Sequence, residues 1–340
     1  MPVALLGLTQ DELRRLAAAW GQPAYRGSQL YHALYAERRW DFASMSTLPH
    51  ALRERLLEEA SVNLPAIEKK YTASDATCRY LLRLADGQTI ETVWLPEKKR
   101  QTICISTQAG CAAACRFCAT ARLGLRRQLT AGEIVAQVLL VLEDNRAQLK
   151  SQTNVVLMGQ GEPLLNYANV LRAIGLLADA NGINIPLRRV TLSTVGIIPG
   201  IRRLALEKLR PKLGVSLNAT NDAVRAQLMP INKKYPIADL LAACREYPLR
   251  PRERLTCEYV LLADVNDSPA DARRLSELLR GLRAKVNLIP WNPAPGLPFS
   301  PPTEARLAEF QQILTQQRLL AFIRRSRGQD INAACGQLAA

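Results

Sequence analysis

The first sixty residues place apolar side chains at the spacing of amphipathic helices. A capping box at 9–12 is followed by apolar residues three or four positions apart, namely Leu13, Leu16, Ala17 and Trp20. The same spacing predicts a second helix over 26–37 and a third over 49–59. We therefore expect a small helical module over residues 1–62, with three tyrosines in its core, Tyr25, Tyr31 and Tyr35.

Residues 78–95 alternate apolar and polar positions, as β-strands do. Asp86-Gly87 lies between the two alternating runs, so residues 63–100 are predicted to form a β-hairpin extension. In the second strand Glu91 shares a face with Val93 and Leu95. A carboxylate on an apolar face either guards an edge strand or serves proton transfer, and the pattern alone leaves both interpretations open.

From Gln101 onward, short apolar strands alternate with helical stretches. We predict strands near 102–106, 154–158, 189–194, 212–217, 255–262 and 284–290, and a further short strand at 320–324. Alternation of this kind joins parallel strands by crossover helices. The predicted fold class is therefore α/β, with an open, partial (β/α)6 barrel over residues 101–340 that ends in a C-terminal tail.

Polar motifs follow the predicted strands at their carboxyl ends, where such barrels place their chemistry. These motifs are Gly159 to Pro163, Ser193-Thr194, Ser216 to Asn218 and Pro290 to Pro293. Gly161 lets the backbone approach a ligand closely, and Glu162 can accept hydrogen bonds from an ammonium group. The order of the motifs predicts a single site at one end of the barrel.

Composition narrows the range of partners. No run approaches the roughly 18 apolar residues of a membrane span, and no basic leader begins the sequence, so we expect a cytoplasmic protein. Basic residues number 45 against 30 acidic residues, a net charge of +15. Such an excess favours a polyanionic partner, with nucleic acid as the first expectation. Basic residues cluster at 97–100, 122–127, 250–254 and 324–327.

Three cysteines with the spacing C-x3-C-x2-C are the strongest chemical signal, at Cys111, Cys115 and Cys118. Soft thiolates on a compact loop suit zinc or an iron-sulfur centre. A closed zinc site needs four ligands, and both histidines, His32 and His50, lie far upstream. Three thiolates on a four-iron cluster would leave one iron open to bind something else. The alternative is that the three cysteines are small hydrophobic core residues.

The cysteine motif, following a strand, resembles the signature of the radical S-adenosylmethionine (SAM) superfamily, in which the open iron binds SAM. A longer ordered set of residues closely resembles the RlmN family of adenosine C2-methyltransferases nearly from end to end. That set comprises Glu91, Cys104, the three loop cysteines, Gly161-Glu162-Pro163, Ser193, Ser216, the Pro290 to Pro293 motif and the tail around Cys335.

The resemblance implies a role for each matching residue. The [4Fe-4S] cluster would be bound by Cys111, Cys115 and Cys118. The SAM site would be lined by Gly161, Glu162, Ser193, Ser216, Leu217, Asn218 and Asn292. Cys335 would be methylated on sulfur, Cys104 would become its disulfide partner, and Glu91 would accept a proton.

The implied reaction uses two SAM molecules per turnover. The first methylates Cys335, and the second supplies a radical that removes hydrogen from the S-methyl group. The carbon radical then attacks C2 of adenine, and a disulfide between Cys104 and Cys335 releases the methylated RNA. The implied substrates are an adenosine in the peptidyl transferase region of 23S rRNA and the adenosine 3′ of the anticodon in tRNA. A flavodoxin-type electron donor is the implied partner, and a monomer is the expected state.

Two residues depart from the family pattern. Gln160 stands where relatives often have methionine, and Asn218 stands where many have histidine. We expect both side chains in the cofactor pocket. The remaining cysteines match no functional position and are expected to be structural, at Cys78, Cys244 and Cys257.

Two alternatives remain at this stage; a third, another radical enzyme that acts on a small molecule, would leave the net charge of +15 unexplained. The first is a Cfr-type enzyme that methylates C8 of the same adenosine; Pro163 and Trp291 argue against it, because Cfr-type chains tend to have alanine after Gly-Glu and to lack this tryptophan. The second is a basic, metal-containing RNA-binding protein without catalysis. It would not require Cys335.

Overall fold

The computed structural model describes residues 2–339. The described strands are β1 Val3–Ala4, β2 Ala60–Ser61, β3 Ala66–Thr72, β4 Cys78–Arg83, β5 Thr89–Pro96, β6 Gln101–Cys104, β7 Gln108–Gly110, β8 Leu125–Gln128, β9 Thr153–Leu157, β10 Val190–Thr194, β11 Lys212–Ser216, β12 Leu255–Leu261, β13 Ala284–Pro290 and β14 Leu320–Ile323. The described α-helices are α1 Gln10–Ala19, α2 Tyr25–Tyr35, α3 His50–Glu59, α4 Ala119–Arg122, α5 Ala131–Asp144, α6 Tyr167–Ala178, α7 Ile198–Ala205, α8 Asp222–Leu228, α9 Ile237–Glu246, α10 Pro269–Leu278 and α11 Glu304–Gln316.

One large sheet organises the chain. Its strand order is β14-β13-β12-β11-β10-β9-β6-β5-β4-β3. The strands from β6 through β9 to β14 pair in parallel, whereas β5, β4 and β3 extend the sheet in antiparallel fashion. The predicted α/β partial barrel is confirmed, and every predicted barrel strand is present with its ends within two residues of those expected. The short strand expected at 320–324 is the outermost parallel strand, β14.

The hairpin extension contains more than the sequence pattern indicated. β4 and β5 form the predicted hairpin, but β3 pairs with β4 and makes a third strand that was not predicted. β3 is the exposed edge of the sheet and carries Glu68, Lys69 and Lys70, whose charges discourage pairing with another chain. Glu91 lies on β5, which is paired on both sides, so its interpretation as an edge guard is wrong.

The N-terminal helices pack directly on the barrel. Tyr31 and Tyr35 are fully buried as predicted, and the Tyr31 hydroxyl donates to Asp179 Oδ2 at 2.8 Å beyond α6. The prediction for Tyr25 is wrong. Its ring is 53% exposed and the Arg26 guanidinium lies over it, because Tyr25 begins α2 at the solvent side. The capping box at Thr9 is present, and its Glu12 also pairs with Arg172 on α6.

Candidate active site

A cavity of about 800 Å³ occupies the inside of the partial barrel. Successive residues of a strand point to opposite faces, so each strand supplies every second side chain to the cavity wall. On β12 these residues are Thr256, Glu258 and Val260, and on β6 they are Thr102 and Cys104. The cavity therefore extends along the whole length of the strands, from their amino ends to their carboxyl ends.

The three-cysteine loop lies at the carboxyl end of the cavity, between β7 and α4. Gly110 ends β7 with φ +76°, and a Cβ there would lie 1.8 Å from the Gly124 carbonyl oxygen, so only glycine allows the loop to close against β8. Trp291 Nε1 donates to the Phe117 carbonyl at 2.9 Å and ties the loop to the end of β13. All three loop cysteines are free thiols and line the cavity.

The donor set of this loop fits an iron-sulfur cluster. Burial raises the pKa of the Cys111 thiol to about 11 and raises the pKa of the Cys115 thiol well above its usual value. A neighbouring cysteine thiolate raises both pKa values further. Such thiols lose their protons when a cationic metal centre neutralises them. Within residues 2–339 no three Cys, His, Asp or Glu side chains converge closely enough to hold a single metal ion. Three thiols without a fourth protein ligand suit a four-iron cluster that keeps one iron open better than they suit a closed zinc site.

The Gly161-Glu162 motif follows β9 and borders the same cavity. Gly161 has φ +100°, and a Cβ there would lie 2.6 Å from Gln108 Cβ. The buried Glu162 carboxylate accepts from the backbone N–H groups of Val195 and Leu164, at 2.7 and 3.0 Å. Burial raises the pKa of Glu162 to about 7 in spite of these hydrogen bonds. A bound cation would favour the ionised carboxylate.

Three further predicted residues line the cavity at the ends of β10 and β11, namely Ser193, Ser216 and Asn218. Asn218 has φ +57° and its Oδ1 accepts from the Val260 N–H at 2.8 Å, which holds this turn against β12. Leu217 differs, because its side chain is buried in the hydrophobic core and does not line the cavity. Its backbone groups bond Glu258 and Arg225.

Gln160 is also away from the cavity. Its side chain is fully buried, whereas Gly159 and Gly161 on either side of it line the wall. Of the two residues that depart from the family pattern, Asn218 therefore lines this cavity and Gln160 does not. Cys78, Cys244 and Cys257 are buried in the core, as expected of structural residues.

The C-terminal tail is fastened across the cavity. Asn292 Nδ2 donates to the Cys335 carbonyl at 2.9 Å, and Gln337 Nε2 donates to the Pro293 carbonyl at 2.8 Å. From the cysteine loop, the Ala119 N–H donates to Gly336 at 2.8 Å and the Thr120 hydroxyl to Leu338 at 2.6 Å. The tail's apolar residues pack on β5 and β6, in a cluster formed by Val93, Leu95, Cys104, Ile331, Ala333 and Leu338.

This anchoring brings Cys335 and Cys104 to one cavity. Cys335 keeps exposed surface, and that surface opens into the cavity, where surrounding protein raises the pKa of its thiol to about 11. Burial raises the pKa of Cys104 further, and the nearby Cys335 thiol adds to the shift. The two thiols therefore line one cavity, and both are free.

Glu91 lies one residue pair away from Cys104 along the same face of the sheet. Val93 is the direct partner of Cys104 across the β5–β6 ladder, and Glu91 is two residues before Val93. The Glu91 carboxylate is fully buried, forms an ion pair with Arg79, and is not part of the cavity wall. The structure thus places Glu91 beside the thiol pair without opening it to the cavity.

Arg225 is a site residue that the sequence pattern did not indicate. Its side chain is fully buried, and its guanidinium donates to the carbonyl groups of Leu217 and Val195 at 3.0 and 2.8 Å and to Asn232 Oδ1 at 2.9 Å. It thereby joins the loops that follow β10 and β11. A single arginine in a short helix carries no sequence signal for burial, because its partners are carbonyl groups of loops and the Asn232 side chain, which no periodic pattern marks.

Cations crowd the opposite opening of the cavity. Eight described basic residues line the wall near the amino ends of the strands and in the segment after β14, and we call them the cationic rim: Arg100, Arg188, Arg189, Lys212, Lys285, Arg324, Arg325 and Arg327. Three described carboxylates line the same cavity, those of Glu97, Glu162 and Glu258. The net positive charge at this opening suits a polyanion.

The partial barrel, the three-thiol loop and the motifs at the strand ends define a radical SAM enzyme. A family model described as the radical SAM superfamily matches residues 105–275, and one described as the ribosomal RNA large subunit methyltransferase N-terminal domain matches residues 3–62. The crystal structure of a radical SAM methyltransferase from Sphaerobacter thermophilus superposes with a TM-score of 0.94, at 44% identity over 99% of each chain.

Relatives over the whole chain identify the family. The chain is 51% identical to the "Probable dual-specificity RNA methyltransferase RlmN" of Koribacter versatilis, over 94% of this chain and 96% of the relative. It is 45% identical to the dual-specificity RNA methyltransferase RlmN of Syntrophobacter fumaroxidans, over 100% and 98% of the two chains. The chain belongs to the RlmN family, and the resemblance inferred from its motifs is confirmed. Enzymes of this family use a [4Fe-4S] cluster and two SAM molecules per turnover.

Proposed function

We propose that this chain forms 2-methyladenosine in RNA, at an adenosine of the peptidyl transferase region of 23S rRNA and at the adenosine 3′ of the tRNA anticodon. The observation that carries the proposal is the meeting of Cys335 and Cys104 in one cavity with the three loop thiols. A protein that only binds RNA would not require four further cysteines in the cavity wall beside Cys335, namely Cys104, Cys111, Cys115 and Cys118. Methyl transfer through sulfur gives each of them a use.

The cavity residues divide into two binding sets. Cys111, Cys115 and Cys118 would hold the cluster. Gly161, Glu162, Ser193, Ser216, Asn218 and Asn292 would surround SAM, with the Glu162 carboxylate accepting from its ammonium group. When bound, the cluster and SAM supply the methyl group and a 5′-deoxyadenosyl radical. Leu217, the remaining residue of the predicted SAM site, would contribute only through its backbone.

The chain's own thiols carry the carbon. Cys335 sulfur would accept a methyl group, and one hydrogen removed from that methyl group would leave a carbon radical beside the RNA base. After the new carbon–carbon bond to C2 forms, Glu91 would accept the C2 proton, for which its carboxylate must leave its ion pair with Arg79 and turn toward the cavity. Once one electron has left the adduct, the Cys104 thiolate would attack Cys335 sulfur and form a disulfide; the bond from sulfur to the CH2 carbon would break with its electron pair on carbon, and a proton taken up there would complete the methyl group of the released base. A reductant must reopen that disulfide before the next turnover.

The cationic rim offers a path for the RNA. A base inside folded RNA must be splayed out to reach a cavity in a protein, and its flanking phosphates then lie at the cavity mouth. The rim residues stand at the mouth opposite the cysteine loop, so phosphates there would meet positive charge while the base enters. RNA affinity should accordingly weaken steeply as salt is raised.

The remaining assignments complete the proposal. Residues 1–62 would be an accessory RNA-binding domain, 63–100 a hairpin extension, and 101–340 the catalytic barrel with its tail. A flavodoxin-type protein would supply electrons to a monomeric, cytoplasmic enzyme. Within residues 2–339 no helix has the length and apolar character needed to cross a membrane.

The proposal is tested by anaerobic reconstitution with iron, sulfide, SAM and RNA, followed by nucleoside mass spectrometry. The wild-type chain should yield 2-methyladenosine, and C335A should yield none while still binding its cluster. C244A removes a buried thiol on α9 and is the matched control that should keep activity. Formation of 8-methyladenosine instead would identify a Cfr-type enzyme, and methylation by C335A would refute the role of the tail thiol.

A further inference from the structure

One buried carboxyl group in the cavity takes no part in the reaction as proposed above. Glu258 lies in the middle of β12, is 7% exposed, and points into the cavity. Asn287 Nδ2, on the adjacent strand β13, donates to Glu258 Oε1 at 3.0 Å. Among residues 2–339, the one hydrogen-bond partner of the Glu258 side chain is Asn287, which binds Oε1, and no cation forms an ion pair with it. A buried acid that faces a cavity without a partner for one oxygen is placed to meet a ligand.

The neighbours of Glu258 fix the direction of its hydrogen bonds. Arg324 Nε donates to Asn287 Oδ1 at 3.0 Å, so the Asn287 amide must turn its NH₂ group toward Glu258. Oε1 is consequently the acceptor of the Asn287 bond. If the carboxyl group is neutral, its proton is on Oε2, and Oε2 is a donor aimed at the cavity.

The surroundings favour the neutral form. Burial raises the pKa of Glu258, although Arg324 and Lys285 lie near enough to oppose the shift. Neither cation pairs with it directly. A desolvated carboxyl group without an ion-pair partner keeps its proton to higher pH than an exposed one.

The level of Glu258 in the barrel matches the level at which a target base would stop. Two residues toward the carboxyl end, the Val260 N–H bonds Asn218 of the proposed SAM site. Two residues toward the amino end, Thr256 pairs with Lys285 of the cationic rim across the β12–β13 ladder. Glu258 is thus between the cofactor and the phosphate entrance, and its charge, when present, would influence the thiol of Cys335. The apolar side chains of Val93, Val156 and Ile289 line the same cavity and could make van der Waals contact with the face of a base.

We propose that Glu258 Oε2–H donates a hydrogen bond to ring nitrogen N1 of the target adenine, which lies next to C2. This inference rests on the proposed function. Adenine presents an acceptor at N1 and a donor at N6, so Oε1 can also accept from the N6 amino group and complete a two-point contact. Inosine presents N1–H instead, and the donor from Oε2 would then meet another donor. Glu258 would therefore select adenine and orient C2 toward Cys335.

The test uses an RNA stem-loop in two forms, with adenosine or 1-deazaadenosine at the target position; the second form replaces N1 by C–H. Binding to reconstituted enzyme is measured by fluorescence anisotropy at fixed salt, and methylation is measured by nucleoside mass spectrometry. The wild type should bind the adenosine form about tenfold more tightly, the scale of one buried hydrogen bond. E258A should bind both forms with equal affinity.

Two variants control for structure. E258Q keeps a donor in place of Oε2–H and should keep part of the discrimination. T256A changes the same face of the same strand and should keep all of it. S-methylation of Cys335, measured by mass spectrometry without RNA, reports that each variant is folded and binds SAM.

The outcomes separate the inference from the function. Methylation by the wild type, together with undiminished discrimination in E258A or equal weakening of both RNAs, overturns the role of Glu258 and leaves the function standing. Absence of methylation by the wild type overturns the proposed function, and the inference falls with it. Loss of discrimination in E258A alone, with partial rescue in E258Q, supports the contact.

Discussion

The hydrogen bond from Thr120 to Leu338 is expected to hold the reactive tail in place. Thr120 is buried on α4, directly after the cysteine loop, and its hydroxyl donates to the Leu338 carbonyl at 2.6 Å. T120V preserves the shape of the side chain but removes the donor and leaves a buried carbonyl without this partner. Such a loss costs about 1–3 kcal/mol, so opening of the tail should increase roughly 5- to 150-fold.

Hydrogen exchange followed by mass spectrometry measures this opening directly. The Ala333 and Gln337 N–H groups are bonded within the tail, so the peptide covering 328–339 should exchange faster in T120V. T315V is the matched control, because Thr315 bonds a carbonyl within its own helix at the surface. Exchange of the tail at the wild-type rate in T120V would refute the reasoning. Faster exchange throughout the protein, including α5, would show global destabilisation instead of release of the tail.

Three further predictions follow from buried groups near the site. R225M should lower the free energy of unfolding, measured by urea titration, by at least about 3 kcal/mol, because several buried acceptors lose a charged donor. The control R202M removes an exposed ion pair and should lower it by under about 1 kcal/mol. Equal effects of the two substitutions would contradict the role of Arg225. Burial raises the pKa of Glu162 from 4.5 to about 7, so the native state binds that proton more tightly than the unfolded chain does. The unfolding free energy of the cluster-free protein should therefore fall by about 3 kcal/mol as the pH rises between these two pKa values. Unfolding free energies measured by calorimetry between about pH 4 and 8 check this: E162Q should lack the decrease, and a decrease of equal size in E162Q would assign it to other groups. C104A should methylate Cys335 and attack RNA but accumulate an unresolved protein–RNA adduct on denaturing gels; normal release of product by C104A would exclude the disulfide step.

Much of the fold was accessible from the sequence because its signals are local. Strand and helix periods reflect which faces are buried, and the order of parallel strands follows from short right-handed connections. The capping box at Thr9 and the hairpin at Asp86-Gly87 depend on a few adjacent residues. β3 was missed because it is an exposed edge strand with three consecutive charged residues, which remove the alternation that marks a half-buried strand.

The candidate site residues could likewise be predicted from the sequence wherever they lie in a contiguous motif. The three loop cysteines, Gly161-Glu162 and the tail thiol carry their meaning in residue type and order, and family resemblance extended that meaning to Cys104 and Glu91. The sequence by itself thus determined the fold class and the family, and it supplied the residues that we propose as cluster ligands and as the methyl carrier.

Tertiary structure alone decided which side chains face the cavity and in what state. Leu217 and Gln160 turn away from the cavity although their neighbours line it, because alternate backbone positions point in opposite directions. Glu91 is paired with Arg79 across the hairpin, and Arg225 and Glu258 acquire their partners from strands and loops distant in the chain. Burial and hydrogen-bond direction arise only when those segments meet, so no local pattern of residues could have supplied them.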